Sequence, residues 1–132
     1  MNIDFQAVAW PAARIDNARL VIHREMLADG MEDVMARRQV DAGAHALDLN
    51  CGPASSDPVA DMVWLVESVQ SCVSCMLVID ASKPAVIEAG LKAARTPVMV
   101  NSTTADREKL EVLVPLAKAY HAKIIGLAIQ AI

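Results

Sequence analysis

Aromatic residues are scarce in this 132-residue chain, with Trp, Tyr and Phe together making up 3% of it. Proteins that stack nucleobases or build ring-rich recognition surfaces need more of them. Positive charge is short as well. Twelve Lys and Arg stand against sixteen Asp and Glu, a formal net charge of -4, so there is no basic field to gather phosphate backbones. No nucleic-acid partner is expected. No apolar run approaches the roughly 18 residues needed to span a bilayer, and the opening MNIDFQAVAW lacks the basic start and long apolar centre of a secretion signal. A cytoplasmic chain with no membrane partner is the expectation.

Cysteine is sparse and odd in number: Cys51, Cys72 and Cys75. The last two have C-x-x-C spacing. A redox pair, however, sets its first thiol at a helix N-terminus, where the dipole favours the thiolate. Here SCVSC follows a helical run and leads into a strand. A zinc centre would need a second pair of ligands, and none is spaced to supply it. The three are read as small buried residues in a reducing compartment, and the chain is expected to carry no metal of its own.

Aliphatic mass is what the chain has in plenty. Hydrophobic residues reach 55% at a mean hydropathy of +0.33, enough for one domain with a generous core. The mass is Ala, Val, Leu, Ile and Met, the filling of βα layers. It is arranged in a pattern written three times. The run AHALDLNCGPASSDP (44–58) passes from apolar residues through Asp48 and Asn50 to a Gly-Pro turn and then to Asp57-Pro58. MLVID (76–80) ends on Asp80 before Ser82-Lys83-Pro84, and PVMVN (97–101) ends on Asn101 before Ser102-Thr103-Thr104. Three strands thus finish in carboxylates or carboxamides. Laid side by side and parallel, they bring those groups to one rim of a sheet, where α/β proteins bind small ligands.

The rest of the chain follows from this rhythm. A first strand over 5–10 is blurred by Pro11, and Arg14-Ile15-Asp16-Asn17 reads equally as strand end or turn. From Ala18 the run LVIHREML reads as helical up to Gly30, with His23 solvated among charged neighbours. A second helix over 31–42 ends at Gly43, a residue that tolerates positive φ. His45 opens the 44–50 strand at the end remote from the rim and is a poor candidate for chemistry.

Asp57 caps the next helix with Pro58 at its first position. Val59, Met62, Val63, Val66 and Val69 make its inner face, and Trp64 is packing. Ser82 is expected to cap a helix through Ala94 with Val86, Ile87, Leu91 and Ala94 inward. Thr103 or Thr104, with Asp106 in the first turn, begins a helix to about Tyr120 carrying Leu110, Leu113, Val114 and Leu116. A last strand covers 123–129. Alternating strands and helices with right-handed crossovers give a parallel α/β fold. A complete (β/α)8 barrel takes ~250 residues, so residues 1–132 amount to about four and a half of its eight units, the N-terminal half.

These strand ends and their neighbours resemble a known family. GAHALDLNCGPASSDPVADMVWLVESVQ, then LVIDASKPAVIEAGLKAA, then VMVNSTTADREKLEVLVPLAKAYHAKIIGLAI are similar to the pterin-binding barrel of methyltetrahydrofolate:corrinoid/iron-sulfur protein methyltransferases. The likeness runs from about residue 31 to 129 and includes D-L-N-x-G-P, I-E-A-G-L-K after the strand-end Asp, and N-S-T, in order. The folate domain of cobalamin-dependent methionine synthase and dihydropteroate synthase are wider relatives. Dihydropteroate synthases usually carry a Gly-Gly-Glu-Ser-rich loop and an N-D-V turn where this chain has Asn50-Cys51-Gly52-Pro53 and Asn101-Ser102-Thr103. The balance therefore favours methyl transfer over pterin condensation.

The resemblance implies a TIM-type barrel domain in which Asp80 and Asn101 hydrogen-bond a pterin ring, with Asn50 and Asp48 beside them. Alternatively these residues cap the helices that follow. Recurrence at matching strand ends argues against that for Asp80 and Asn101, and leaves both roles open for Asp48. The implied substrate is methyltetrahydrofolate, and the implied methyl acceptor is a corrinoid (cobalamin) on a partner protein. Two departures bear on activity. The family's first strand ends G-E-R-I-N, whereas Ala12-Ala13-Arg14-Ile15-Asp16 lacks the Gly, the Glu and the terminal Asn. The second half of the barrel, with further pterin contacts, is also missing. No catalytic residue is assigned, and the chain alone is expected to be inactive and to form a homo-oligomer or associate through open barrel edges. A non-catalytic truncated or decayed half-barrel, or a dihydropteroate synthase-like pterin-binding protein, is the alternative.

Overall fold

The computed structural model describes residues 19–21 and 31–127. Among these residues five strands alternate with four helices: β1 (Arg19–Val21), α1 (Met31–Asp41), β2 (Ala46–Asn50), α2 (Pro58–Cys72), β3 (Met76–Asp80), α3 (Pro84–Ala93), β4 (Val98–Thr103), α4 (Arg107–Ala119) and β5 (Lys123–Gly126). Every strand pair is parallel, and the sheet order is the chain order, β1-β2-β3-β4-β5. That order carries the architecture. A doubly wound sheet reverses direction part-way and puts helices on both faces. Right-handed crossovers that always step to the next strand keep every helix on one face. Accordingly α1 packs on α2, α2 on α3 and α3 on α4, in a single outer layer. The domain is α/β, the N-terminal half of a TIM-type barrel.

The core lies between this layer and the sheet. Leu47 and Leu49 of β2, Leu77 and Ile79 of β3, and Val98 and Val100 of β4 alternate along their strands, and all are buried in the same cluster as Met62, Leu65, Val66, Val86, Ile87 and Leu91 of the helices. Strand residues of the other parity face the inside of the curve. Gly90 marks a close helix–sheet approach. A Cβ built there would lie 3.0 Å from Ile79 Cγ2 and 3.0 Å from Met62 Cγ.

Several expectations hold. Helix α1 stops at Asp41, and the chain turns away at Gly43, whose φ is 98°. Asp57 caps α2, accepting from Ala60 N at 3.1 Å, with Pro58 starting the helix. Trp64 is half-buried against the core. Others are corrected. The run after Ala18 begins not as a helix but as strand β1, because its backbone pairs with β2 in register Leu20↔Leu49, and sheet pairing overrides the local helical reading. Lys83, not Ser82, is the N-cap of α3. Pro84 takes the first helical position and holds the residue before it in extended geometry, which sets the boundary one residue later.

Thr103 belongs to β4, and Asp106 itself caps α4, accepting from Glu108 N at 2.9 Å and Lys109 N at 3.4 Å. Within α2 the buried stripe is Met62, Leu65, Val66 and Val69, while Val59 in the first turn is exposed. Helical phase alone does not say how far the covering layer extends. In α4 the buried pair is Leu113 and Ala117. The candidate strand at 5–10, the 12–16 segment, His23 and the 128–129 end of the last strand lie outside the described residues. Among the described residues no helix is long and apolar enough to cross a membrane.

Candidate functional site

Alternation along the strands positions the site. In β2, Leu47 and Leu49 are committed to the helix layer, which turns Asp48 and Asn50 to the inner face. In β3 the same parity turns Asp80 inward at the strand's last residue, and in β4 it turns Asn101 inward. The register sets Asp80 directly beside Asn101 and Asp48 beside Val78. Asn50, Asp80 and Asn101 therefore form one row at the carboxyl end of the sheet, with Asp48 one layer below.

All four predicted site residues come together, in two carboxamide–carboxylate pairs. Asn50 Nδ2 donates to Asp80 Oδ2 at 2.9 Å, and Asn101 Nδ2 donates to Asp48 Oδ2 at 2.8 Å. The second pair joins β2 to β4 over the intervening β3. On a flat sheet those strands stand two spacings apart, roughly 9.6 Å. Curvature toward the inner face lets two short side chains close that span. Asn50 is held at its other end too, because its Oδ1 accepts from Gly52 N at 2.7 Å. Gly52 sits at φ 75°, in the left-handed region that a side chain would disfavour. The turn after β2 thereby fixes the orientation of the Asn50 amide.

A cleft of about 430 Å³ opens beside the first pair, lined by Asn50, Gly52, Ser55, Asp80, Ser82 and Lys83 among others. Its size falls within the ~300–1,000 Å³ of small-molecule sites. Asp48 and Asn101 do not line it. Motif pattern alone does not single out Lys83. The available signal is its place, three residues past the strand-end Asp80 on the same βα loop, the loop type that builds sites at this face of a barrel. Ser55 Oγ donates to Asp61 Oδ2 at 2.7 Å and braces the loop on the cleft's other side.

The cysteines are free. Burial pushes the Cys51 thiol up from its ordinary 9.0 to about 11, with the nearby Asp61 charge adding to the effect. The Cys72 thiol is raised by burial and then by Asp33, and Cys75 by burial. All three shifts oppose the thiolate, so none of these residues has the character of a nucleophile or redox thiol at neutral pH. A larger groove of about 550 Å³, bounded by Cys72, Cys75 and Arg37, lies at the opposite end of the sheet. His45 is exposed and precedes β2 at that same remote end.

Parallel strands in chain order with a single outer helix layer place this chain among α/β barrels, with its interlocked carboxylates and carboxamides at the carboxyl-end rim. The chain belongs to the pterin binding enzyme family, which it matches over residues 25–131. It is also similar to a methylcorrinoid:tetrahydrofolate methyltransferase of Eubacterium limosum, at 32% identity over 78 residues. That alignment spans 59% of this chain and 29% of the relative.

Proposed function

We propose that this chain supplies part of the pterin site of a methyltransferase that moves a methyl group from N5 of methyltetrahydrofolate to a corrinoid held on a partner protein. Asp80 and Asn101 meet the pterin ring, with Asn50 and Asp48 beside them. The observation that carries this reading is the row of Asn50, Asp80 and Asn101 at the carboxyl ends of three adjacent strands. A pterin edge offers an amino group and ring N–H donors next to a carbonyl and a ring nitrogen. A carboxylate accepts two donors at once, and a carboxamide supplies both kinds of partner, so the rim matches this ring in chemistry. The corrinoid supplies the methyl-carrying cobalt, and no residue of this chain is assigned to the transfer step.

The similar relative's name describes transfer from methylcorrinoid to tetrahydrofolate, the same two ends taken in the other direction. An enzyme lowers the barrier both ways, so direction is set by the supply of donor and acceptor. Calorimetric titration with methyltetrahydrofolate tests the binding half of the proposal. Saturable binding displaced by a simple pterin is expected, and absence of binding would overturn it.

A second reading, a non-catalytic pterin-binding product, is favoured by the departures at Ala12-Ala13-Arg14-Ile15-Asp16 from the family's first strand. An anaerobic assay with a cob(I)alamin acceptor, run on the chain completed to a full barrel, separates the two. Under the second reading the chain binds the pterin and never turns over.

A further inference from the structure

We infer that Asn50 and Asp48 are positioning residues, each of which orients the neighbour that meets the ligand: Asn50 sets the carboxylate of Asp80, and Asp48 sets the amide of Asn101. This inference rests on the pterin reading of the rim and refines the roles within it.

The hydrogen bonds assign the direction of action. A carboxylate has only acceptors, so the Asn101 amide must turn its NH2 toward Asp48, and its carbonyl oxygen is thereby turned away. Were Asp48 replaced by an apolar residue, that amide would be free to rotate by half a turn and exchange donor for acceptor at the ligand. Asn50 is constrained more tightly. Gly52 N–H claims its Oδ1 at 2.7 Å, so its NH2 faces Asp80 and holds Oδ2 at 2.9 Å. The loop backbone, through Asn50, thus fixes the rotation of the Asp80 carboxylate before any ligand arrives. Such pre-set polar groups avoid paying for reorganisation when the ligand binds.

The two pairs also act separately. Each joins a different set of strands, β2 to β3 for Asn50–Asp80 and β2 to β4 for Asp48–Asn101. Strand β2 is thus the member common to both, and its inner face serves as the scaffold on which the residues of β3 and β4 are aligned.

Double-mutant cycles on methyltetrahydrofolate affinity test the inference. Asn50→Ala should weaken binding about ten-fold, and in an Asp80→Ala background it should add less than about two-fold, because there is nothing left to orient. Asp48→Ala and Asn101→Ala should be coupled in the same way, whereas Asn50→Ala and Asn101→Ala should multiply. Asp48→Asn, which keeps an acceptor for the Asn101 amide, should recover part of the affinity lost in Asp48→Ala at unchanged melting temperature. Fully multiplicative losses within each pair would overturn the inference and make Asn50 and Asp48 direct ligands.

A ligand-independent arm separates this failure from failure of the pterin reading. The side-chain amide NMR signals of Asn50 and Asn101 should each shift when its own partner Asp is replaced and stay put when the other is. Signals indifferent to their partners would overturn the positioning roles. Binding of the wild type that ignores Asp80 and Asn101 would instead overturn the pterin site itself.

Discussion

Asn101 reaches Asp48 at 2.8 Å although the whole of strand β3 stands between their strands. The bond is a direct expression of sheet curvature, and it ties the site to the fold. Whatever flattens the sheet also separates the pair. The rim should therefore be sensitive to how the helix layer packs behind it, as well as to its own residues.

Asp80→Ala should weaken methyltetrahydrofolate binding by roughly ten-fold to a hundred-fold, since losing one buried polar partner costs ~1–3 kcal/mol. Asp106→Ala is the matched control. Asp106 accepts from Glu108 N and Lys109 N as the cap of α4, so its loss should cost ~0.5–2 kcal/mol of stability and leave affinity nearly unchanged. Calorimetry on both variants gives the answer, and equal affinities would show that the site has been misplaced.

Gly90→Ala should lower the melting temperature. An Ala side chain gains up to about 1 kcal/mol of helix propensity, but its methyl would press on Ile79 Cγ2 and Met62 Cγ at 3.0 Å. Overpacking of this kind costs ~1–3 kcal/mol, and Ile79 is fully buried with a stiff, β-branched side chain. A thermal melt at or above that of the wild type would contradict the prediction.

Gln70 clamps α2 to the turn before β4, donating from Nε2 to Ala93 O at 2.9 Å and accepting at Oε1 from Arg95 N at 2.8 Å. Gln70→Ala removes both bonds, each contributing ~0.5–1.5 kcal/mol net. Urea denaturation should register the loss. Because the clamp lies at the end of the sheet away from the rim, pterin affinity should not change, in keeping with the division between stabilising and functional faces of a barrel.

Alkaline stability should carry the mark of Cys51. Its folded thiol is raised from 9.0 to about 11, so its contribution is complete below the lower value and is lost as pH rises through the window between them. The unfolded thiol ionises first, which favours unfolding. Urea midpoints measured on either side of the window should fall more steeply for the wild type than for Cys51→Ala. Parallel profiles would mean that the thiol is more solvated than its 6% exposure indicates.

The 132-residue chain expressed by itself should self-associate. Among the described strands β5 pairs with β4 alone, and its residues Lys123–Gly126 are exposed or half-buried. An unpaired parallel edge is a template for another strand. Sedimentation should show association that rises with concentration, and a monomer throughout the range would refute it.

Much of this was legible from residues alone. The strand–turn–helix pattern of 44–58, repeated after Asp80 and Asn101, placed β2, β3 and β4 to within two residues, and the polar residues ending those strands named the rim. Such signals are local: alternation, a Gly-Pro turn, and a Pro at the start of a helix. Over residues 19–21 the same locality misleads, since Arg19–Val21 becomes a strand only through its pairing with β2. Helix phase likewise named most of the buried stripe of α2 but included Val59 and missed Leu65, because coverage depends on the neighbouring layer.

Which polar group meets which is visible only in the folded chain. Residue pattern alone puts Asp48, Asn50, Asp80 and Asn101 toward one end of a parallel sheet. That Asn50 pairs with Asp80 while Asn101 crosses β3 to Asp48 follows from strand register and sheet curvature, which bring together residues 30 and 53 positions apart. Spacing along the chain carries no trace of either, because both are set by how the helices pack against the back of the sheet.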